Sequence, residues 1–89
     1  MTQQTLQTPD EIDDLIFREK MQVALSYQND AWAEGVAEGI EPEILADAAM
    51  MTALRETVRV LGEDQAEALI ESMRERILTG EFSPLRSLQ

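Results

Sequence analysis

Proline and glycine divide this chain at a few positions and leave long unbroken stretches between them. The prolines are Pro9, Pro42 and Pro84, and the glycines are Gly35, Gly39, Gly62 and Gly80. Proline is tolerated at the first helical position, where its missing N–H has no intrahelical partner to lose. Glycine is favoured just past a helix end because it accepts a left-handed backbone. The order Pro9, Gly39, Pro42, Gly62, Gly80 therefore reads as three helices written start to stop. Thr8-Pro9-Asp10-Glu11 makes the first start specific: Thr8 as N-cap, Pro9 at the first helical position, and Glu11 three residues after the cap to complete a capping box. Asp10, Glu11, Asp13 and Asp14 fall where the positive end of the helix dipole favours carboxylates.

From that start the helical reading runs to about Glu38, with Gly39 as its C-terminal cap. A helix of ~30 residues is about 45 Å long. Its weak point is Ser26-Tyr27-Gln28-Asn29-Asp30, where poor helix formers lead up to Asp30, a good N-cap for a restart at Ala31. The sequence leaves two outcomes open there: a continuous helix, or one kinked or broken near Asp30. Pro42 opens the second helix and Gly62 closes it, with Ile44, Ala48, Met51, Leu54, Val58 and Leu61 in one stripe. Gly62-Glu63-Asp64 forms a short connection, and Ala66, Leu69, Ile70, Met73 and Ile77 mark a third helix that ends before Gly80. No alternating apolar and polar run is bounded by hairpin turns, so no strand is expected. Short connections imply antiparallel neighbours. The expected fold is all-α, a compact three- to four-helix antiparallel bundle with a long first helix. Residues 1–7 are expected as a flexible tail, 8–80 as a single helical domain and 81–89 as a C-terminal arm, whose Phe82, Leu85 and Leu88 suit docking.

At 89 residues there is room for one domain. Hydrophobic residues at 44% supply enough apolar material to offset ordering entropy. A core of this size leaves little stability margin, which a second subunit relieves. The chain has neither cysteine nor histidine. Disulfides, thiolate metal sites, the commonest general base and every Ser/His/Asp or Cys/His arrangement are thereby removed. A catalytic site of carboxylates alone needs a cleft that a chain this short rarely encloses, so no enzyme and no cofactor are expected. With 18 acidic against 7 basic residues the formal net charge is -11, a field that repels phosphates, so direct nucleic-acid binding is not expected. The N-terminus lacks a signal-peptide pattern and no stretch reaches the roughly 18 apolar residues of a membrane span. The expectation is a cytoplasmic protein.

The feature that speaks to function is that the first helix has two apolar faces. At about 100° per residue, Ile12, Leu15, Ile16, Val23 and Tyr27 cluster on one side, while Phe17, Met21, Leu25 and Trp32 cluster nearly opposite. One neighbour cannot cover both. Either two other helices sandwich this one, or one face joins the core and the other meets a second chain. The latter reading makes Phe17, Met21, Leu25 and Trp32 the partner-binding residues, with the partner either a second copy or another protein. The methionines are read as core filler, and the Gly35/Gly39 spacing as chance, since Gly39 already serves as a cap. The acid groups Asp10/Glu11/Asp13/Asp14 and Glu38/Glu41/Glu43 lack a calcium-loop glycine and any histidine partner, so they read as solvated surface and no metal is expected. The chain is thus expected to be a non-enzymatic helical interaction module, a regulatory or accessory subunit that self-associates as a homodimer through the second apolar face of its first helix. The rival expectation is an acidic decoy that mimics nucleic acid and inhibits a basic protein.

Overall fold

A computed structural model describes residues 9–84. The Thr8 cap, the 1–7 tail and the arm beyond Pro84 lie outside the described residues. Among the described residues there are three helices of more than one turn, α1 (Pro9–Ala37), α2 (Pro42–Leu61) and α3 (Glu63–Leu78), and no strand. The all-α class read from the sequence is the one observed.

The helix α1 is one element of 29 residues and passes through Ser26–Asp30 without interruption, so Asp30 caps nothing. Each added residue of a continuing helix gains a hydrogen bond, whereas a restart must nucleate a new turn. The weak propensities of this stretch do not outweigh that difference. The other boundaries follow local chemistry. After α1, Gly39 has φ 86°; its N–H donates to the Val36 carbonyl at 2.9 Å, and Ile40 N–H donates to the Gly35 carbonyl at 3.1 Å. This pair of bonds is a Schellman motif, which satisfies carbonyls left over at the helix end. The same pattern closes α3: Gly80, at φ 85°, donates to Ile77 O at 3.0 Å and Glu81 donates to Arg76 O at 3.0 Å. Between α2 and α3 the connection is Gly62 alone, shorter than the three residues expected. Glu63 and Asp64 have joined the first turn of α3, where the helix dipole favours their charge.

By its internal contacts the chain divides into two units, Met1–Leu45 and Ala46–Gln89. The first holds α1 and the opening turn of α2. That turn begins with Pro42 at its first helical position, and the Glu41 carbonyl accepts the N–H groups of both Ile44 and Leu45 at 3.0 Å. Leu45 is thereby set against Gly35: an ideal β-carbon placed on Gly35 would lie 2.6 Å from Leu45 Cδ2. Gly35 is a packing position, and its smallness is what admits the leucine.

The second unit holds the rest of α2 together with α3. Ala66, one turn after Gly62, is 7% exposed and is the one buried apolar side chain among the described residues. Leu54, Thr57, Leu69 and Met73 are half-buried. Thr57 keeps its hydroxyl satisfied within its own helix, donating to the Ala53 carbonyl at 2.7 Å. The chain that follows Gly80 turns back onto α3. Arg76 donates from Nε to both carboxylate oxygens of Glu81, at 2.9 and 3.0 Å, and its guanidinium carbon stands 5.4 Å from the centre of the Phe82 ring.

Candidate protein interaction surface

Phe17, Met21, Leu25 and Trp32 all lie on α1, and helical geometry gathers them within an arc of about 80°. Their exposures are 62%, 44%, 52% and 40%. On the opposite side Ile12, Leu15 and Ile16 are 43 to 45% exposed, and Val23 and Tyr27 more so. Neither apolar face of this helix is buried. A helix that is apolar on both sides is ordinarily enclosed on both sides, and complete burial of a large apolar side chain stabilises by about 1.5–3 kcal/mol. With roughly half of that unrealised at each position, covering either face is worth on the order of 1 kcal/mol per residue.

Charge divides α1 along its length. Four acids, Asp10, Glu11, Asp13 and Asp14, precede Leu15, and the helix's only bases, Arg18 and Lys20, follow it. An open groove of about 480 Å³ runs past Glu19, Lys20, Val23, Ala24 and Tyr27. A smaller one of about 230 Å³ is lined by Glu11, Asp14, Leu15 and Arg18. Both have walls of mixed apolar and charged side chains. Among the described residues, no three acidic groups stand close enough together to hold a metal ion, and no helix is long and apolar enough to cross a membrane.

The stripe read along α2 is covered in one place only. Leu54 is half-buried, whereas Ile44 in the first unit and Met51 and Leu61 in the second are 56 to 63% exposed. Of the methionines read as core filler, Met73 is half-buried, while Met21, Met50 and Met51 are exposed. Exposed apolar side chains also gather at the ends of α3 and its neighbours: Val60 and Leu61 before Gly62, and Ile77, Leu78 and Phe82 around Gly80. Periodicity places Leu61 and Ile77 in the apolar stripes of α2 and α3, and both stand exposed beside the turn glycines.

The charged groups with a defined partner are few and sit on the surface. Arg59 pairs with Glu56 one turn earlier on α2 at 2.6 Å, and Arg76 pairs with Glu81. The hydrogen bonds from Arg76 hold the Glu81 carboxyl below the usual carboxylate range, and those same bonds raise the guanidinium's own value. Such exposed pairs position a turn and contribute little to stability. Comparison with known proteins finds no matching family model, no significantly similar curated protein and no significantly similar solved structure.

Proposed function

We propose that this chain is a non-enzymatic helical interaction module, a regulatory or accessory subunit that works by associating with a second copy of itself. The interface is the Phe17/Met21/Leu25/Trp32 face of α1, and the antiparallel helical bundle is completed between copies. The observation that carries this reading is the exposure of both apolar faces of one 29-residue helix. Among the described residues, the two shorter helices leave both faces of α1 exposed. The absence of histidine and cysteine supports a role without catalysis.

Light scattering over a wide concentration range tests the proposal on the native chain and on a Phe17→Glu/Leu25→Glu variant. The expected result is a native dimer and a folded monomeric variant. A native chain that stays monomeric at high concentration, with a variant that unfolds, assigns the face to the chain's own core and rejects self-association.

The net charge of -11 favours a second reading, an acidic decoy for a basic protein. Salt separates the two. A decoy's affinity for its basic target falls steeply as salt rises, whereas an apolar interface between two acidic chains tightens.

A further inference from the structure

The residues of α1 also carry information about how two copies meet. Arg18, Met21, Leu25, Gln28 and Trp32 follow one another at steps of three and four along the helix, the spacing of a coiled-coil seam. Phe17 borders this stripe. The seam is apolar at its middle, and the charges around it are unevenly placed along the axis.

In a parallel pair, the block Asp10, Glu11, Asp13 and Asp14 of one copy lies level with the same four acids of the other. Packed helices are about 8–10 Å apart, close to the Debye length of about 8 Å at physiological salt, so this repulsion is only partly screened. In an antiparallel pair centred on Leu25, the block instead faces residues 36–40, whose only acid is Glu38. The stretch holding Arg18, Glu19 and Lys20, with one net positive charge, then lies level with the stretch holding Asp30 and Glu34, setting net positive against net negative charge. The same register brings Arg18 of each copy level with Trp32 of the other. A guanidinium facing an indole is a favourable cation–π arrangement.

Resting on the self-association reading, we propose that two copies pair through α1 in antiparallel orientation with the two-fold axis at Leu25. The interface is isologous: Leu25 meets Leu25, and the two Arg18/Trp32 pairs flank it symmetrically.

Because the chain has no cysteine, the single substitutions Gln22→Cys and Asp13→Cys each introduce one spin-label site, both at exposed positions. Mass by light scattering and label-to-label distance by pulsed and continuous-wave EPR are measured on each labelled full chain. The antiparallel pair predicts a dimer in which the labels at position 22 are within about 20 Å of each other, while those at position 13 are about 35–40 Å apart, from 1.5 Å of rise per residue on each side of the axis. A dimer with both distances near 10–20 Å is parallel; it overturns the orientation and leaves self-association standing. A dimer with both distances beyond about 40 Å places the interface away from this seam and overturns the proposal. A monomer at every concentration rejects the self-association reading itself.

Discussion

At Gly35 a side chain of any size competes with Leu45 for the same space, since a β-carbon there stands 2.6 Å from Cδ2 and 3.1 Å from Cδ1. Those atoms are methyls at the end of a rotatable side chain, so one added carbon can be accommodated by turning Leu45. Replacing glycine by alanine inside a helix also gains about 1 kcal/mol of propensity. The net effect of Gly35→Ala is expected within about 1 kcal/mol of zero. Gly35→Leu overfills the site and is expected to cost about 1–3 kcal/mol, most of it recovered when combined with Leu45→Ala. Urea midpoints for the native chain, Gly35→Ala, Gly35→Leu, Leu45→Ala and the Gly35→Leu/Leu45→Ala double variant, taken at one protein concentration, check this, and additive effects of Gly35→Leu and Leu45→Ala would refute the contact. At the other end of the chain, Glu81 offers a pH signature. Its carboxyl titrates below the usual range because Arg76 donates hydrogen bonds to it. A value lowered by folding means that the contact contributes fully above the unfolded carboxylate value of about 4.3 and fades as pH falls through the lowered folded value. Carbon-detected NMR titration is expected to show Glu81 titrating below the usual carboxylate range, and Arg76→Ala is expected to return it to that range.

Among the elements, α1 poses the sharpest local question, because Ser26–Asp30 contains a plausible restart signal that the helix ignores. An N-cap aspartate replaced by alanine costs about 1 kcal/mol. An aspartate in a helix interior replaced by alanine gains up to about 0.7 kcal/mol in propensity. Because α1 continues through Asp30, Asp30→Ala is expected to leave stability unchanged or raise it, with no loss of far-ultraviolet helical signal. A loss of about 1 kcal/mol would instead reveal two helices capped at Asp30. The helix ends behave differently, since Gly39 and Gly80 hold left-handed backbones that fix the Schellman turns. The route of the chain out of α1 and α3 is therefore set within a few residues of each end.

For the whole molecule the governing numbers are a net charge of -11 and apolar side chains left largely uncovered on α1, α2 and around Gly80. Apolar area drives chains together, and like charge drives them apart. The two terms respond differently to salt: screening weakens the repulsion, while the hydrophobic contribution persists. Self-association is accordingly expected to strengthen between about 20 mM and 300 mM sodium chloride, where the Debye length falls from roughly 20 Å to below 8 Å. Sedimentation equilibrium at the two salts checks this, and dissociation at the higher salt would mean that ion pairs, and not apolar contact, hold the copies together. Under the proposed self-association, mass action links pairing to folding, and the thermal midpoint is expected to rise with protein concentration.

Residue chemistry alone determined the all-α class and most of the helix boundaries among the described residues. Pro42, Gly39, Gly62 and Gly80 act through their own backbone geometry, which needs no distant partner. The two apolar faces of α1 were legible for the same reason, because side-chain direction in a helix follows from spacing. Tertiary structure decided what the pattern could not. Gly35 looked dispensable until Leu45 was brought to it by the turn at Gly39–Pro42. Of the α2 stripe only Leu54 is half-buried, while Ala66, the smallest apolar member of the α3 pattern, is the buried one. Periodicity says which way a side chain points, whereas burial depends on what arrives opposite it, and that is a property of the packed chain.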